Sequence, residues 1–260
     1  MTSTSDLQST ARTALACLDL TTLNDTDTQN DVARLCARAQ SRFGDVAAVC
    51  VWPRLAAFAR SRLPASISVA AVANFPDGSA DVSRAVRDAS LIVQSGAQEV
   101  DLVLPWQHLL SGDEAPVEAV LQAVRKASEG LVLKVILETG MLVDPPIIAR
   151  AARLALDAGA DFLKTSTGKT PVSATPVAAQ ILLDAIAQDP DAASHVGFKP
   201  SGGIRTVADA AAYIALTRQT LGDEAVNPRR FRLGASSVLD DIERVLSGEA
   251  STSTAAPGVY

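Results

Sequence analysis

The sequence predicts an α/β protein built as a (β/α)8 TIM barrel, with a short helical segment before the first strand. Eight short apolar runs alternate with eight stretches of helical periodicity, a pattern that fits one closed barrel of roughly 250 residues. The run 131–137 is apolar apart from one lysine, which is typical of a parallel strand buried on both faces. No Gly-x-Gly-x-x-Gly pattern follows the first run, which argues against a dinucleotide-binding fold.

The predicted elements follow one another in strict alternation. Strands are expected at 17–21, 48–52, 67–73, 99–104, 132–138, 162–165, 196–199 and 231–235. Helices are expected at 30–42, 54–62, 80–94, 116–129, 145–157, 175–187, 207–220 and 238–246. Gly96 and Gly159 each end a helix, whereas Pro145 and Thr206 mark helix starts. Residues 1–247 are therefore predicted to be one domain, and the Ser-, Thr- and Ala-rich residues 248–260 a flexible C-terminal tail.

Composition and charge exclude several classes of partner. The chain has 260 residues with 23 Lys and Arg against 29 Asp and Glu, so its net charge is −6. With 6 Phe, 2 Trp and 2 Tyr, it lacks the basic stripe and the stacking surfaces that nucleic-acid binding requires. It has no apolar run of the roughly 18 to 20 residues that span a membrane, and its N-terminus does not resemble a secretion signal. We expect a cytoplasmic protein with no membrane partner.

The sequence contains no metal-binding pattern. His108 and His195 are its only histidines, and they are not paired at metal-binding spacing. The three cysteines, Cys17, Cys36 and Cys50, also lack such spacing, and their odd number is typical of reduced thiols. Cys50 ends a predicted strand, where it is either an exposed thiol near a pocket or a buried structural residue. We expect no metal in the site, and we expect His195 at the opposite face of the barrel.

Charged residues stand near the ends of predicted strands that are otherwise apolar. Asp101, Lys164 and Lys199 lie towards the carboxyl ends of the fourth, sixth and seventh strands, where barrel enzymes carry their active sites. Burial and a second nearby cation both lower the pKa of a lysine and make it a better nucleophile. The alternative is a buried structural network in which the lysines pair with Asp101 and Glu138. Lys134 lies earlier in its strand and is expected to pair with charges or to support the site indirectly.

Glycine-rich turns follow the sixth, seventh and eighth predicted strands. Glycine lets backbone N–H groups approach an anion closely, and hydroxyls and helix N-termini add to the attraction. The candidate phosphate-binding residues are Gly168, Lys169, Gly202, Gly203, Gly234, Ser236 and Ser237, with Arg205 as a further candidate. A nucleotide P-loop is excluded because position 163, where that motif requires glycine, is Leu163.

Six runs of the sequence resemble the deoxyribose-phosphate aldolase family. They are 18–23, 73–78, 99–103, 133–140, 160–169 and 197–206, and they occur in the family's order between residues 15 and 246. The most specific are Phe-Leu-Lys-Thr-Ser-Thr-Gly around Lys164 and Gly-Phe-Lys-Pro-Ser-Gly-Gly around Lys199. The resemblance implies a (β/α)8 barrel and a class I, Schiff-base aldolase without metal or organic cofactor. The implied reaction is the reversible cleavage of 2-deoxy-D-ribose 5-phosphate to D-glyceraldehyde 3-phosphate and acetaldehyde, in deoxyribonucleoside catabolism.

The same resemblance assigns roles to individual residues. Lys164 matches the family's Schiff-base lysine, Lys199 its second lysine and Asp101 its proton-relay carboxylate. Asp19 is similar to the carboxylate that supports this relay, with a structural acid as the alternative. Tyr260 matches a C-terminal tyrosine that reaches into the site in some family members, and a tail with no role in the site is the alternative.

Two other functions stay open from the sequence. One is another class I sugar-phosphate aldolase or transaldolase with a different donor, and the other is a non-catalytic barrel that binds sugar phosphates. The motifs around both lysines, together with Asp101, favour the deoxyribose enzyme, because a binding barrel has no need for two strand-end lysines and an acid. The expected partners are small phosphosugars and aldehydes. The sequence is compatible with a homodimer but does not determine the oligomeric state.

Overall fold

The computed structural model describes residues 4–251 and has the predicted barrel architecture. Within these residues, eight parallel strands follow one another around a single sheet. They are β1 (Leu18–Thr21), β2 (Ala48–Val51), β3 (Ser68–Ala73), β4 (Glu99–Val103), β5 (Val132–Ile136), β6 (Phe162–Lys164), β7 (Gly197–Lys199) and β8 (Leu233–Ala235). The register between β8 and β1 sets Leu233 opposite Leu18.

The sheet closes between β7 and β8. Parallel bridges join Phe198 to Phe231 and Ser201 to Gly234, and the backbone N–H of Phe198 donates to the Arg230 carbonyl at 2.9 Å. The eight strands thus form a ring in which each strand pairs on both sides. Their carboxyl ends meet at one rim of the barrel.

Helices cover the outside of the barrel. They are α1 (Thr4–Ala16), α2 (Gln29–Arg38), α3 (Pro53–Arg62), α4 (Val82–Gln94), α5 (Trp106–Leu110), α6 (Ala115–Ala127), α7 (Thr139–Leu142), α8 (Pro145–Asp157), α9 (Pro176–Gln188), α10 (Val207–Leu221) and α11 (Val238–Leu246). At the start of α10, the Thr206 hydroxyl accepts a hydrogen bond from the Asp209 N–H at 3.1 Å, and Asp209 accepts one from the Thr206 N–H at 2.9 Å. This capping box explains why Thr206 marks a helix start.

The helical segment expected before the first strand is α1, which packs against α10 and α11. Ala11, Ala14 and Leu15 of this segment are buried in the main apolar core. None of the helices between residues 4 and 251 is both long and apolar enough to cross a bilayer. The domain boundary placed after residue 247 stays a prediction, and residues 252–260, which include Tyr260, lie outside the described part of the chain.

The structure corrects the sequence-based bounds at two places. The helix expected at 30–42 ends at Arg38, and the residues after it form an antiparallel hairpin of Gln40–Ser41 and Gly44–Asp45. Gly44 in this hairpin has a φ of 133°, which glycine tolerates better than other residues. The strand expected at 132–138 ends at Ile136, because the backbone of Glu138 is left-handed, with a φ of 55°, and leads into α7.

Candidate active site

Seven charged side chains are buried inside the barrel. Taken over whole residues, the exposed fractions range from 0% to 6%, and we call these residues the buried charge cluster: Asp19, Glu99, Asp101, Lys134, Lys164, Lys199 and Arg232. Residues two apart on a strand point to the same side, so Glu99 and Asp101 share the barrel interior. The parallel register sets Lys134 beside Asp101 and Lys199 beside Lys164. The fold therefore brings together the strand-end residues that the sequence analysis singled out.

Asp101 is the centre of the cluster. One of its oxygens, Oδ2, accepts hydrogen bonds from Lys164 Nζ at 2.8 Å and from Lys199 Nζ at 2.7 Å. The other oxygen, Oδ1, accepts one from Lys134 Nζ at 2.9 Å. Burial raises the pKa of Asp101, but the three lysines outweigh this effect and hold its pKa well below the usual range. Asp101 is therefore ionised at neutral pH.

Lys164 has the least carboxylate support of the three lysines. Among the described carboxylates, its Nζ pairs with Asp101 alone, and its side chain is 4% exposed. Burial lowers the pKa of Lys164; Asp101 opposes this effect and Lys199 adds to it, and the net shift is downward. Lys164 is thus biased towards the neutral amine, which is the nucleophilic form.

Lys199 contacts the same oxygen of Asp101 but has a second carboxylate. Its Nζ lies 2.5 Å from Asp19 Oδ2 and 2.7 Å from Asp101 Oδ2. Burial lowers the pKa of Lys199, but Asp101 and Asp19 outweigh it and raise the pKa. The two neighbouring lysines therefore shift in opposite directions, and Lys199 stays charged.

Lys134 is surrounded by carboxylates. Its Nζ pairs with Glu99, with Asp101 at 2.9 Å and with Asp19 at 3.2 Å. Its ammonium group donates hydrogen bonds to Glu99 and Asp101, and Asp19 is a further ion-pair partner. This environment is the one expected for a charge-paired lysine.

Sequence reasoning did not single out Glu99 and Arg232 as members of the site. Arg232 donates to Asp19 Oδ1 at 2.6 Å and to Glu99 Oε1 at 2.7 Å. One available signal was that Glu99 shares its strand face with Asp101. The contact between Arg232 and Asp19 depends on how β8 closes against β1, which no local pattern in the sequence reveals.

Cys50 lies beside the cluster and is fully buried, so the exposed-thiol alternative is wrong. Its Sγ lies 3.9 Å from Asp101 Oδ2. Burial raises the pKa of the Cys50 thiol to about 11. At neutral pH the residue is a neutral thiol in contact with Asp101.

Glu138 holds the loop that follows β6. Its carboxylate accepts hydrogen bonds from the hydroxyls of Thr167 and Thr170, the latter at 3.2 Å. Burial raises the pKa of Glu138, against the effect of these hydrogen bonds. In the described part of the chain, Glu138 forms no ion pair with a lysine, whereas the pairing with Asp101, which the structural alternative also included, is present. Glu138 instead fixes the loop that carries Gly168.

The glycine-rich turns lie at the carboxyl-terminal rim. Gly168, Gly202 and Gly203 have φ angles of 80°, 81° and 79°, which glycine adopts without strain. A Cβ on Gly202 would lie 2.5 Å from the Ser173 side chain, whereas one on Gly203 would meet nothing within 4 Å. Gly203 therefore presents its backbone to open space at the rim.

The turn after β8 completes this rim. A Cβ on Gly234 would lie 2.6 Å from Ser201 Cβ and 3.1 Å from Lys199 Cε, so glycine here leaves room for the lysine. Ser236 and Ser237 are exposed just before α11, whose N-terminus attracts anions. Lys169 and Arg205 are half-buried on the loops after β6 and β7. The rim thus carries all the residues proposed for phosphate.

A profile described as DeoC/LacD family aldolase matches residues 13–240 of the chain. The matched range contains the whole buried charge cluster and the glycine-rich rim. The chain belongs to this aldolase family. Tyr260 lies beyond residues 13–240, the range that the family profile matches.

Known proteins similar to this aldolase-family chain include one curated sequence and several solved structures. Deoxyribose-phosphate aldolase from Agrobacterium fabrum (strain C58) is 46% identical over 241 residues, covering 92% of each chain. A Toxoplasma gondii ME49 structure, provisionally named a deoxyribose-phosphate aldolase, superposes with a TM-score of 0.86 at 25% identity, covering 96% of this chain and 99% of that one. A similarly named structure from Coccidioides immitis gives 0.78 at 29% identity, covering 90% and 87%.

Proposed function

We propose that this family member is a deoxyribose-phosphate aldolase, a lyase that cleaves 2-deoxy-D-ribose 5-phosphate reversibly to D-glyceraldehyde 3-phosphate and acetaldehyde in deoxyribonucleoside catabolism. The observation that carries the proposal is Lys164, a buried lysine with a lowered pKa at the carboxyl end of a barrel strand. The 46% identity to an enzyme of that name supports the same substrate.

Lys164 is the proposed Schiff-base residue. Its neutral amine attacks the C1 aldehyde of the open-chain sugar, and loss of water from the carbinolamine gives a protonated imine at C1. This imine accepts the electron pair of the C2–C3 bond when that bond breaks, and the product is an enamine. Burial of the lysine favours the attack on the aldehyde because it shifts the amine towards its unprotonated form.

Asp101 and Lys199 are the proposed proton-handling groups. A water molecule held between them removes the proton from the C3 hydroxyl as the C2–C3 bond breaks, and glyceraldehyde 3-phosphate leaves. Lys199 has three N–H donors, and Asp19 and Asp101 use two of them. One donor of Lys199 therefore has no partner among the described residues and can bind substrate or water. The same groups return a proton to C2 of the enamine, and hydrolysis of the imine frees acetaldehyde and Lys164.

The glycine-rich rim is the proposed site for the 5-phosphate. Its amides, the hydroxyls of Ser236 and Ser237, the N-terminus of α11 and the charge of Lys169 together suit a dianion. Arg205 is a further candidate, and a role for Tyr260 stays a prediction. Binding the phosphate at the rim would place C1 deeper in the barrel, over Lys164.

A cytoplasmic location and a homodimer remain proposals. Cys17, Cys36 and Cys50 are separate buried thiols, which suits a reducing compartment. Light scattering of the purified protein tests the dimer.

Cleavage of 2-deoxy-D-ribose 5-phosphate, followed by acetaldehyde release, tests the proposed function. We expect wild-type activity to survive dialysis against EDTA, because the proposed chemistry needs no metal.

Lys164→Met should abolish cleavage while phosphate-ligand binding stays largely intact. The control Lys126→Met, which removes an exposed lysine on α6, should behave as wild type. Equal rates in the Lys164→Met protein and the wild type would refute the proposal. Binding of the sugar phosphate without cleavage by the wild type would favour the non-catalytic barrel.

A further inference from the structure

The buried charge cluster contains more basic groups than acids. Its basic members are Lys134, Lys164, Lys199 and Arg232, and its acids are Asp19, Glu99 and Asp101. An uncompensated charge inside a protein is strongly unfavourable. With four bases and three acids, the interior is neutral only when one basic group is unprotonated.

The contacts decide which basic group gives up its proton. Arg232 cannot, because a guanidinium stays protonated in proteins, and Asp19 and Glu99 both pair with it. Lys134 pairs with three carboxylates and Lys199 with two. Lys164 pairs with a single carboxylate oxygen, which it shares with Lys199. Lys164 is therefore the basic group whose positive charge is least compensated, and it is the one that loses its proton.

Arg232 is fixed in place by more than its ion pairs. Its side chain is 8% exposed, its guanidinium lies 5.6 Å from the centre of the Phe162 ring, and its Nε donates to the Pro228 carbonyl. Both Nη atoms face carboxylates of the cluster. A chain of ion pairs through Asp19, Lys199 and Asp101 connects this permanent charge to the proposed nucleophile.

We propose that Arg232 is a positioning residue of the aldol reaction: its permanent charge occupies Asp19 and Glu99, so that the cluster lacks one carboxylate and Lys164 is the lysine left as a neutral amine. The inference rests on the proposed function, in which Lys164 is the nucleophile. Arg232 itself touches neither substrate nor the reacting atoms. It acts through the carboxylates.

The other charged and titratable groups around Lys164 belong to this balance. They are Asp101 and Glu99 from β4, Lys134 from β5, Lys199 from β7, Asp19 from β1, Cys50 from β2 and Glu138 after β5. The Cys50 thiol is neutral, as described above, and Glu138 bonds to the loop threonines. Glu138 interacts electrostatically with Lys164, but among the described residues it forms no ion pair with a basic member of the cluster.

Removing the charge of Arg232 should restore the missing balance. In Arg232→Met, three lysines face three carboxylates, so a protonated Lys164 is compensated. The neutral amine should then appear only at higher pH, and the acid limb of kcat/KM should move upward by about one pH unit, at the lower end of the roughly 1 to 3 units that a nearby charge produces. At neutral pH this shift lowers the rate of imine formation about tenfold.

The experiment compares pH profiles of kcat/KM for the wild type and four variants. Arg232→Lys keeps a positive charge and should retain the wild-type acid limb more closely than Arg232→Met. Glu99→Gln removes an acid and should move the limb to lower pH. Arg229→Met removes an exposed arginine close by in the chain and should leave the limb in place.

Opposite shifts in Arg232→Met and Glu99→Gln would support the inference. A purely structural role of Arg232 would instead lower kcat/KM by the same factor at every pH, and that outcome overturns it. If Arg232→Met does not fold, as judged by circular dichroism, the Glu99→Gln profile decides, since an unchanged or upward-shifted limb there also overturns the inference. Absence of cleavage by the wild type would refute the proposed function itself, which is a distinct result.

Discussion

Lys164 and Lys199 are the same residue type on neighbouring strands, and they differ in the carboxylates that their nitrogens touch. Both contact Asp101 Oδ2, and Lys199 also contacts Asp19. Each additional carboxylate stabilises the charged form of a buried lysine. One lysine is thereby suited to nucleophilic attack and the other to donating a proton.

Replacing Lys199 tests this division at the residue scale. Lys199→Met should lower kcat by about 10²- to 10⁴-fold, the usual contribution of a general acid or base. The acid limb should also move to higher pH, because the cluster loses a cation that disfavours charge on Lys164. Steady-state cleavage measured across pH checks both effects, with Lys126→Met as the control. A Lys199→Met protein with a wild-type rate would exclude Lys199 from the reaction.

The residues found by sequence reasoning lie near the carboxyl ends of their strands, whereas Glu99 and Arg232, which it missed, lie at or just before the start of theirs. Lys164, Lys199 and Asp101 stand out locally, because each is a charge near the end of an apolar strand. Arg232 also follows an apolar residue near a strand, but its partner Asp19 lies 213 residues away in the chain. Only the closed barrel brings these two side chains together.

At the scale of elements, the loops after β6 and β7 depend on backbone conformations that glycine allows, and Gly234 of β8 leaves room for Ser201 and Lys199. Glu138 fixes the first of these loops through Thr167 and Thr170. Gly203 and Gly130 make a matched pair, because both have φ near 80° and a Cβ on either would meet nothing within 4 Å. Only Gly203 lies on the proposed phosphate rim.

Alanine substitutions at Gly203 and Gly130 distinguish the effect of backbone strain from the loss of phosphate binding. Both Gly203→Ala and Gly130→Ala should lose about 1 kcal/mol or more of unfolding free energy, because alanine is strained at positive φ. Gly203→Ala alone should raise KM for 2-deoxy-D-ribose 5-phosphate, with little change for unphosphorylated 2-deoxyribose. Kinetics with both sugars provide the measurement. An equal KM increase for the two sugars would place the phosphate elsewhere.

The strands and the long helices followed from apolar runs and periodicity, and the short helices did not. The eight strands and the long helices lie within a few residues of their predicted bounds, apart from α2. The helices α5 and α7 have 5 and 4 residues, too few to show a helical period. The end of β5 was misplaced because a left-handed Glu138 has no signature in its residue type.

At the scale of the whole molecule, a net charge of −6 coexists with a basic excess inside the barrel. The acidic surface and the buried cluster are therefore separate electrostatic features. The cluster also contributes to stability, because its cations lower the pKa values of Asp19, Glu99 and Asp101 in the folded protein, against the effect of burial.

Stability should fall in acid for this reason. The three carboxyls have lower pKa values folded than unfolded, so their contribution is complete above about pH 4 to 5 and is lost as the pH falls towards the folded values. Urea unfolding at a series of pH values gives the measurement. Asp101→Asn should be about 3 to 5 kcal/mol less stable at neutral pH and less sensitive to acid. A variant with the same acid sensitivity as the wild type would contradict this assignment.

Reductive trapping tests the central claim, that Lys164 forms the Schiff base, most directly. The protein is incubated with acetaldehyde, reduced with borohydride, digested and mapped by mass spectrometry. We expect one ethyl group on the peptide that contains Lys164, and none in the Lys164→Met protein. An ethyl group on a peptide with Lys199 or Lys134 instead, or no adduct in the wild type, would contradict the account.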